Sequence, residues 1–164
     1  MKKALLIFLP IVLVVFSACA EPPPKKTQLE VRELQTRSYD TKDVKLVMKA
    51  VMHTLQDDNY MVKQANSELG LLTAQKEEDL GNSFTPIFRY SHSETRYPNN
   101  TITEASANIS EYGEQTRVRI NFQRKVLDNK GVTMEVEQID DPLFYQNFFS
   151  KVDKAVFLGL ENLQ

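Results

Sequence analysis

His53 and Asp57 stand four residues apart in a stretch of helical periodicity, which puts an imidazole and a carboxylate on one helix face. That is the spacing of two ligands to a divalent metal. A metal site needs a third ligand and none is suggested, so the pair reads equally as surface residues beside an apolar stripe. Ser91, His92, Ser93 and Glu94 gather hydroxyls, an imidazole and a carboxylate in four positions. Nucleophilic triads are assembled across a fold rather than along a chain, and no Gly-x-Ser-x-Gly elbow occurs. A solvated loop accounts for them. Glu77-Glu78-Asp79 and Asp140-Asp141 are paired acids. Carboxylate dyads act when buried at a set separation, whereas these fall at a strand end and a helix start. The 5 glycines are scattered, without a phosphate loop, and the single cysteine allows no cysteine-pair zinc site. The expectation is a protein without enzymatic activity, cofactor or metal.

The lone Cys19 has a different chemistry. It cannot form an internal disulfide. Lys2 and Lys3 precede an apolar run, Ala4 to Phe16, broken once by Pro10. That run is shorter than the ~20 residues a bilayer span needs, and suits a signal peptide. Phe16-Ser17-Ala18-Cys19 resembles a bacterial lipobox, with Phe where the pattern prefers Leu, Val or Ile. The resemblance implies cleavage after residue 18 and lipidation of Cys19. Multiple acyl chains anchor a protein stably where one does not. Ala20 rather than Asp after the cysteine implies sorting to the Gram-negative outer membrane, the domain facing the periplasm. The expected division is residues 1–18 as signal peptide, 19–27 as lipidated cysteine and proline-rich tether, and 28–164 as one periplasmic α+β domain. Pro22-Pro23-Pro24 favours an extended spacer.

Removal of 1–18 takes away two lysines and moves the formal net charge from −2 to −4. No basic excess exists for phosphate backbones, so nucleic acid is not an expected partner. A composition of 41% hydrophobic and 26% charged residues is that of a globular domain. Its length supports a core without disulfides or metals.

Surface chemistry points to a partner. Arg117 and Arg119 share one face of a strand, with Arg124 on the opposite parity. Phe84, Phe88, Arg89, Tyr90 and Tyr97 crowd a long polar stretch, with Ile87 and Arg96 among them. Arginine and aromatic residues are enriched at binding hot spots. The alternatives are a solvated sheet face for the arginines and aromatics folded back onto the sheet.

The elements that must hold these residues follow from periodicity. Leu29–Tyr39 reads as a first strand. Thr41–Asp58 reads as a helix with Asp40 or Thr41 as cap and Val44, Val47, Met48, Val51 and Leu55 as its apolar stripe. Strands follow at Tyr60–Ala65 and Leu71–Lys76, then a stretch without period from Glu78 to Asn100. Ile102–Ser110, Thr116–Leu127 and Val132–Ile139 alternate as strands, joined by turns at Tyr112-Gly113-Glu114 and Asp128–Gly131. Asp141-Pro142 opens a last helix running to about Leu160. The expected fold is α+β: a curved antiparallel sheet in the order β-α-β-β-β-β-β-α, with two helices on one face, helix-grip or TBP-like.

Three segments carry a family likeness: Leu34-Gln35-Thr36-Arg37-Ser38-Tyr39-Asp40-Thr41, Ala50-Val51-Met52-His53-Thr54-Leu55-Gln56-Asp57-Asp58, and Leu69-Gly70-Leu71-Leu72-Thr73-Ala74. With Val118–Phe122 and Phe144–Phe149, they resemble a family of small proteobacterial outer-membrane lipoproteins of no assigned activity. A looser likeness of shape is to the helix-grip modules of the BamC lipoprotein of the outer-membrane β-barrel assembly machine. It implies a non-catalytic interaction module of an envelope assembly or transport complex, anchored through Cys19, with an envelope protein as partner. The alternative is a carrier of a lipid or other small apolar ligand in a groove between helices and sheet. An envelope hydrolase is the third reading.

Overall fold

A computed structural model describes residues 26–80 and 96–161. The described residues fold as an open, curved antiparallel sheet of six strands with three helices. The expected signal peptide at 1–18, Cys19, most of the expected tether, and Phe84, Phe88, Arg89, Tyr90, His92 and Glu94 lie outside the described residues.

The first element corrects the expectation. Leu29–Tyr39 is not one strand. Residues Gln28–Leu34 form a helix, α1, and only Thr36–Tyr39 form strand β1. The cause is a capping box at Thr27. Its side chain accepts from the Glu30 N–H, and the Glu30 carboxylate accepts from the Thr27 N–H at 2.6 Å. Two backbone donors without helical partners are thereby satisfied, which favours helix over the β tendency of Val31. The observed order is α-β-α-β-β-β-β-β-α.

Helix α2 (Val44–Asp57) starts three residues later than Thr41. Asp43 caps it, its carboxylate accepting from the Leu46 N–H at 2.9 Å. Of the expected stripe, Val47, Met48, Val51 and Leu55 are buried, with Ala50 and Thr54 beside them, and Val44 in the first turn is half-buried against the core. Strands β2 (Met61–Asn66) and β3 (Leu71–Asp79) form a hairpin. Gly70 in its turn has φ +63°, and a Cβ there would lie 1.8 Å from the Ile109 carbonyl oxygen, so no other residue fits.

The long stretch from Glu78 is shorter than expected. Strand β3 continues through Asp79, and β4 (Pro98–Tyr112) already pairs Asn100 with Asp79 and Thr101 with Glu78. Strand β5 (Gln115–Asp128) pairs with β4 along nearly its whole length, and β6 (Thr133–Gln138) follows. Helix α3 (Pro142–Glu161) opens where expected, the Asp141 carboxylate accepting from the Leu143 N–H at 2.9 Å.

The strand order is β1-β5-β4-β3-β2, with β6 also on β5. β1 and β6 therefore share one edge of β5. β1 takes Thr116–Arg119, and β6 takes Gln123–Leu127. Helices α2 and α3 pack together over one face. Val118, Ile120 and Phe122 of β5 point into that core, fully buried, with Leu72, Ala74, Ala105, Ala107 and Ile109 from β3 and β4. Each such large apolar side chain contributes roughly 1.5–3 kcal/mol by leaving water. Phe122 is the hub, edge-on to Tyr60, Phe144, Tyr145 and Phe148 at centroid distances of 4.8–5.8 Å.

Candidate partner-binding surface

Strand alternation that buries Val118, Ile120 and Phe122 turns Arg117, Arg119, Asn121 and Gln123 to the helix-free face. Register builds rows across it. Arg117 lies between Ser38 and Ser110, and Arg119 between Thr36 and Asn108. Further along, Asn121 neighbours Ser106, which neighbours Thr73, and Gln123 neighbours Glu104, which neighbours Gln75. Lys125 bonds the Glu104 carboxylate at 2.7 Å. Neither Arg117 nor Arg119 takes part in an ion pair among the described residues. Arg117 stacks on Tyr112, its guanidinium carbon 3.3 Å from the ring centroid. An arginine held over an aromatic ring keeps its charge while losing freedom, which suits it to docking. Tyr112 and Tyr97 are both about half exposed.

Structure thus brings Arg117 and Arg119 together on one face, beside Tyr112, which sequence reasoning assigned only to a turn. Tyr97 does not join them. It sits next to Arg96 at the far end of β4, near the β5–β6 turn, where its carbonyl accepts from the Asn129 N–H. Arg96 binds the buried Asp128 carboxylate, whose other oxygen accepts from Lys130 and Val132 N–H groups at 2.9 and 2.8 Å. Burial alone would raise the Asp128 pKa. The hydrogen bonds from Val132, Arg96 and Lys130 outweigh it and hold the carboxyl below its ordinary value. Arg124 falls on the helix side of the sheet, as its parity requires, opposite Thr103 and Glu137.

A groove of about 260 Å³ opens on the helix side where the sheet outruns the helices. Tyr60, Leu80, Ile139 and Phe144 form its apolar lining, and Lys76, Glu78 and Arg124 are its charged residues. Lys76 is ion-paired to Glu78 at 2.8 Å. Burial, then Asp58 and Glu78, push the Tyr60 phenol up to about 12, so it stays neutral and able to donate.

His53 and Asp57 are both exposed on α2. Among the described residues no group of three or more His, Cys, Asp and Glu could hold a metal ion. Among the same residues no helix is long and apolar enough to cross a membrane.

One feature had no sequence signal. Every residue of β6 is exposed, and among the described residues β6 pairs with β5 alone. Val132, Met134 and Val136 are each about half exposed there. No protein-family model matches the chain, and a search of curated proteins finds no match.

Proposed function

We propose that the protein is a lipid-anchored, non-catalytic interaction module on the periplasmic side of the outer membrane, docking an envelope protein on the helix-free face of its sheet. The observation that carries this reading is the pair Arg117 and Arg119, without an acidic partner among the described residues and side by side on a broad polar face, while two helices cover the opposite face. Lipidation at Cys19 would hold that face near the membrane, and the likeness to small proteobacterial lipoproteins supports the same location. A partner with acidic groups on its contact surface fits the two guanidinium groups.

The test is site-specific photocrosslinking from Asn121 in the native host, comparing the wild-type chain with Arg117→Glu/Arg119→Glu. Reversal of both charges should lower the yield of the crosslinked partner at least about tenfold, the effect of roughly 1.4 kcal/mol. Unchanged yield removes this face from the reading.

The groove beside Phe144 favours a second reading, a carrier of a small acidic amphiphile held by an apolar wall and the Lys76 and Arg124 cations. A ligand retained on native purification and lost in Phe144→Ala would support it.

A further inference from the structure

Strand β6 offers a free edge whose geometry is set by one hydrogen bond. The Ile139 N–H donates to the Phe122 carbonyl at 2.9 Å. In an antiparallel ladder, bonded pairs recur at every second residue. Continuing the same register makes Glu137–Arg124 and Glu135–Val126 the bonded pairs. The backbone N–H and C=O groups of Val136 and Gln138 therefore point away from β5, where no strand of the described chain lies. An exposed row of this kind is a template for another strand.

Side chains on the edge select what can pair. Val136 lies on the helix-free face, in line with Lys125 and Ile102, and is 52% exposed. Glu135 and Glu137 lie on the other face. Arg124 stands across the ladder from Glu137, but Glu135 has only Val126, and neither acid is ion-paired among the described residues. A second copy of this chain is a poor occupant. Antiparallel docking centred on Val136 would set Glu135 opposite Glu137. Docking centred between Val136 and Gln138 would set Glu137 opposite itself. Like charges directly opposite destabilise a strand pair.

From this we infer that β6 accepts, by strand addition, an extended segment of a partner protein that alternates basic and apolar residues. Its basic side chains meet Glu135 and Glu137, and an apolar one lies beside Val136. Main-chain bonds to Val136 and Gln138 supply affinity, and the alternation supplies specificity. The inference deepens the interaction-module reading and rests on it, but uses a surface separate from Arg117 and Arg119.

The experiment follows amide hydrogen exchange by NMR in the full chain in detergent micelles. The probe is an end-capped eight-residue peptide alternating Lys and Val, with a Glu–Val peptide as counterpart. At about ten times its dissociation constant, the Lys–Val peptide should slow exchange at Val136 and Gln138 about tenfold. Val136→Pro removes an outward N–H without removing a β5–β6 bond, and should weaken binding about tenfold or more. Glu135→Lys/Glu137→Lys changes only exposed side chains and should switch preference to the Glu–Val peptide.

Absence of protection at Val136 and Gln138 overturns the inference. So does equal protection by both peptides, or undiminished binding to Val136→Pro. Protection that grows with protein concentration in the absence of peptide would assign the edge to a second copy and overturn it too. If crosslinking is lost on reversing Arg117 and Arg119 while β6 stays unprotected by peptide, the inference fails and the module reading stands. If the peptide binds β6 as described while crosslinking is unchanged, the helix-free face fails and the edge stands.

Discussion

Strands β1 and β6 lie end to end along the same edge of β5, yet β1 is tied by its side chains to the helix layer and β6 is not. β1 is four residues long, and Tyr39 at its end is buried. Arg37 bonds Asp153 of α3 at 2.6 Å and lies over the Phe149 ring. Gln35, just before the strand, is 2% exposed; its carbonyl accepts from the Ile120 N–H and its amide donates to the Tyr145 hydroxyl. β6 is longer and buries nothing. Ladder bonding is of the same kind in both, so pairing alone does not decide whether a strand belongs to the core. Side chains that reach α3 do. Both strands have an outer edge, but β1 is bound into the core by its side chains while β6 is held by its ladder.

The sharpest way to break this contrast is a truncation on each side. Tyr39→Ala removes a buried aromatic ring and should cost about 3–5 kcal/mol. Met134→Ala in β6, where the residue is 48% exposed, should stay within about 0.5 kcal/mol. Urea unfolding of both variants reads the difference. Equal losses would show that β6 is held by the core as firmly as β1.

Tyr145 comes next, because its hydroxyl serves both strands. It accepts from the Gln35 side chain and the Phe122 N–H, each at 3.3 Å, and donates to the Ile139 carbonyl at 3.1 Å. The hydroxyl thus stands between Phe122 and Ile139, the pair that begins the β6 ladder, while holding the residue that leads into β1. Tyr145→Phe leaves three buried groups without this partner and should cost about 1–3 kcal/mol. Hydrogen exchange should rise at Phe122 and also along β6. A loss confined to global stability, with β6 exchange unchanged relative to β1, would deny the hydroxyl its role at the β6 ladder.

Much of the core side was legible in the sequence. Alternation along Thr116–Leu127 set the two faces of β5, and Asp141-Pro142 marked the start of α3. Arg117 and Arg119 were placed on the open face by the same parity. The capping box at Thr27 and Glu30 was also written in the sequence, but Leu29, Val31 and Leu34 fit a strand pattern loosely enough to obscure it. The rest depends on contacts distant in sequence. Nothing local says that β6 joins β5 on the side β1 uses. Nor does anything local bring Gln35 to Tyr145, 110 positions away. A free edge is a property of topology, so Glu135 and Val136 looked like ordinary strand residues.

The smallest expected effect concerns the turn that launches β6. Asp128 gathers the Lys130 and Val132 N–H groups on one oxygen and Arg96 on the other, and its carboxyl is held below its ordinary value. An unfolded aspartate titrates near 3.9. The folded group titrates lower, so its contribution to stability is complete above about pH 4 and is lost as pH falls through the folded value. Asp128→Asn keeps an oxygen that can accept from Lys130 and Val132, and loses both the charge and the acceptor that face the half-exposed Arg96. The variant should therefore be slightly less stable than wild type at neutral pH. That gap should close as pH falls below about 4, because the wild-type carboxylate then becomes neutral as well. Urea midpoints taken from pH 7 to pH 2.5 decide the point. Curves that stay parallel over that range would mean that the Asp128 charge does nothing for the turn, and that the β6 hairpin is held by backbone bonds alone.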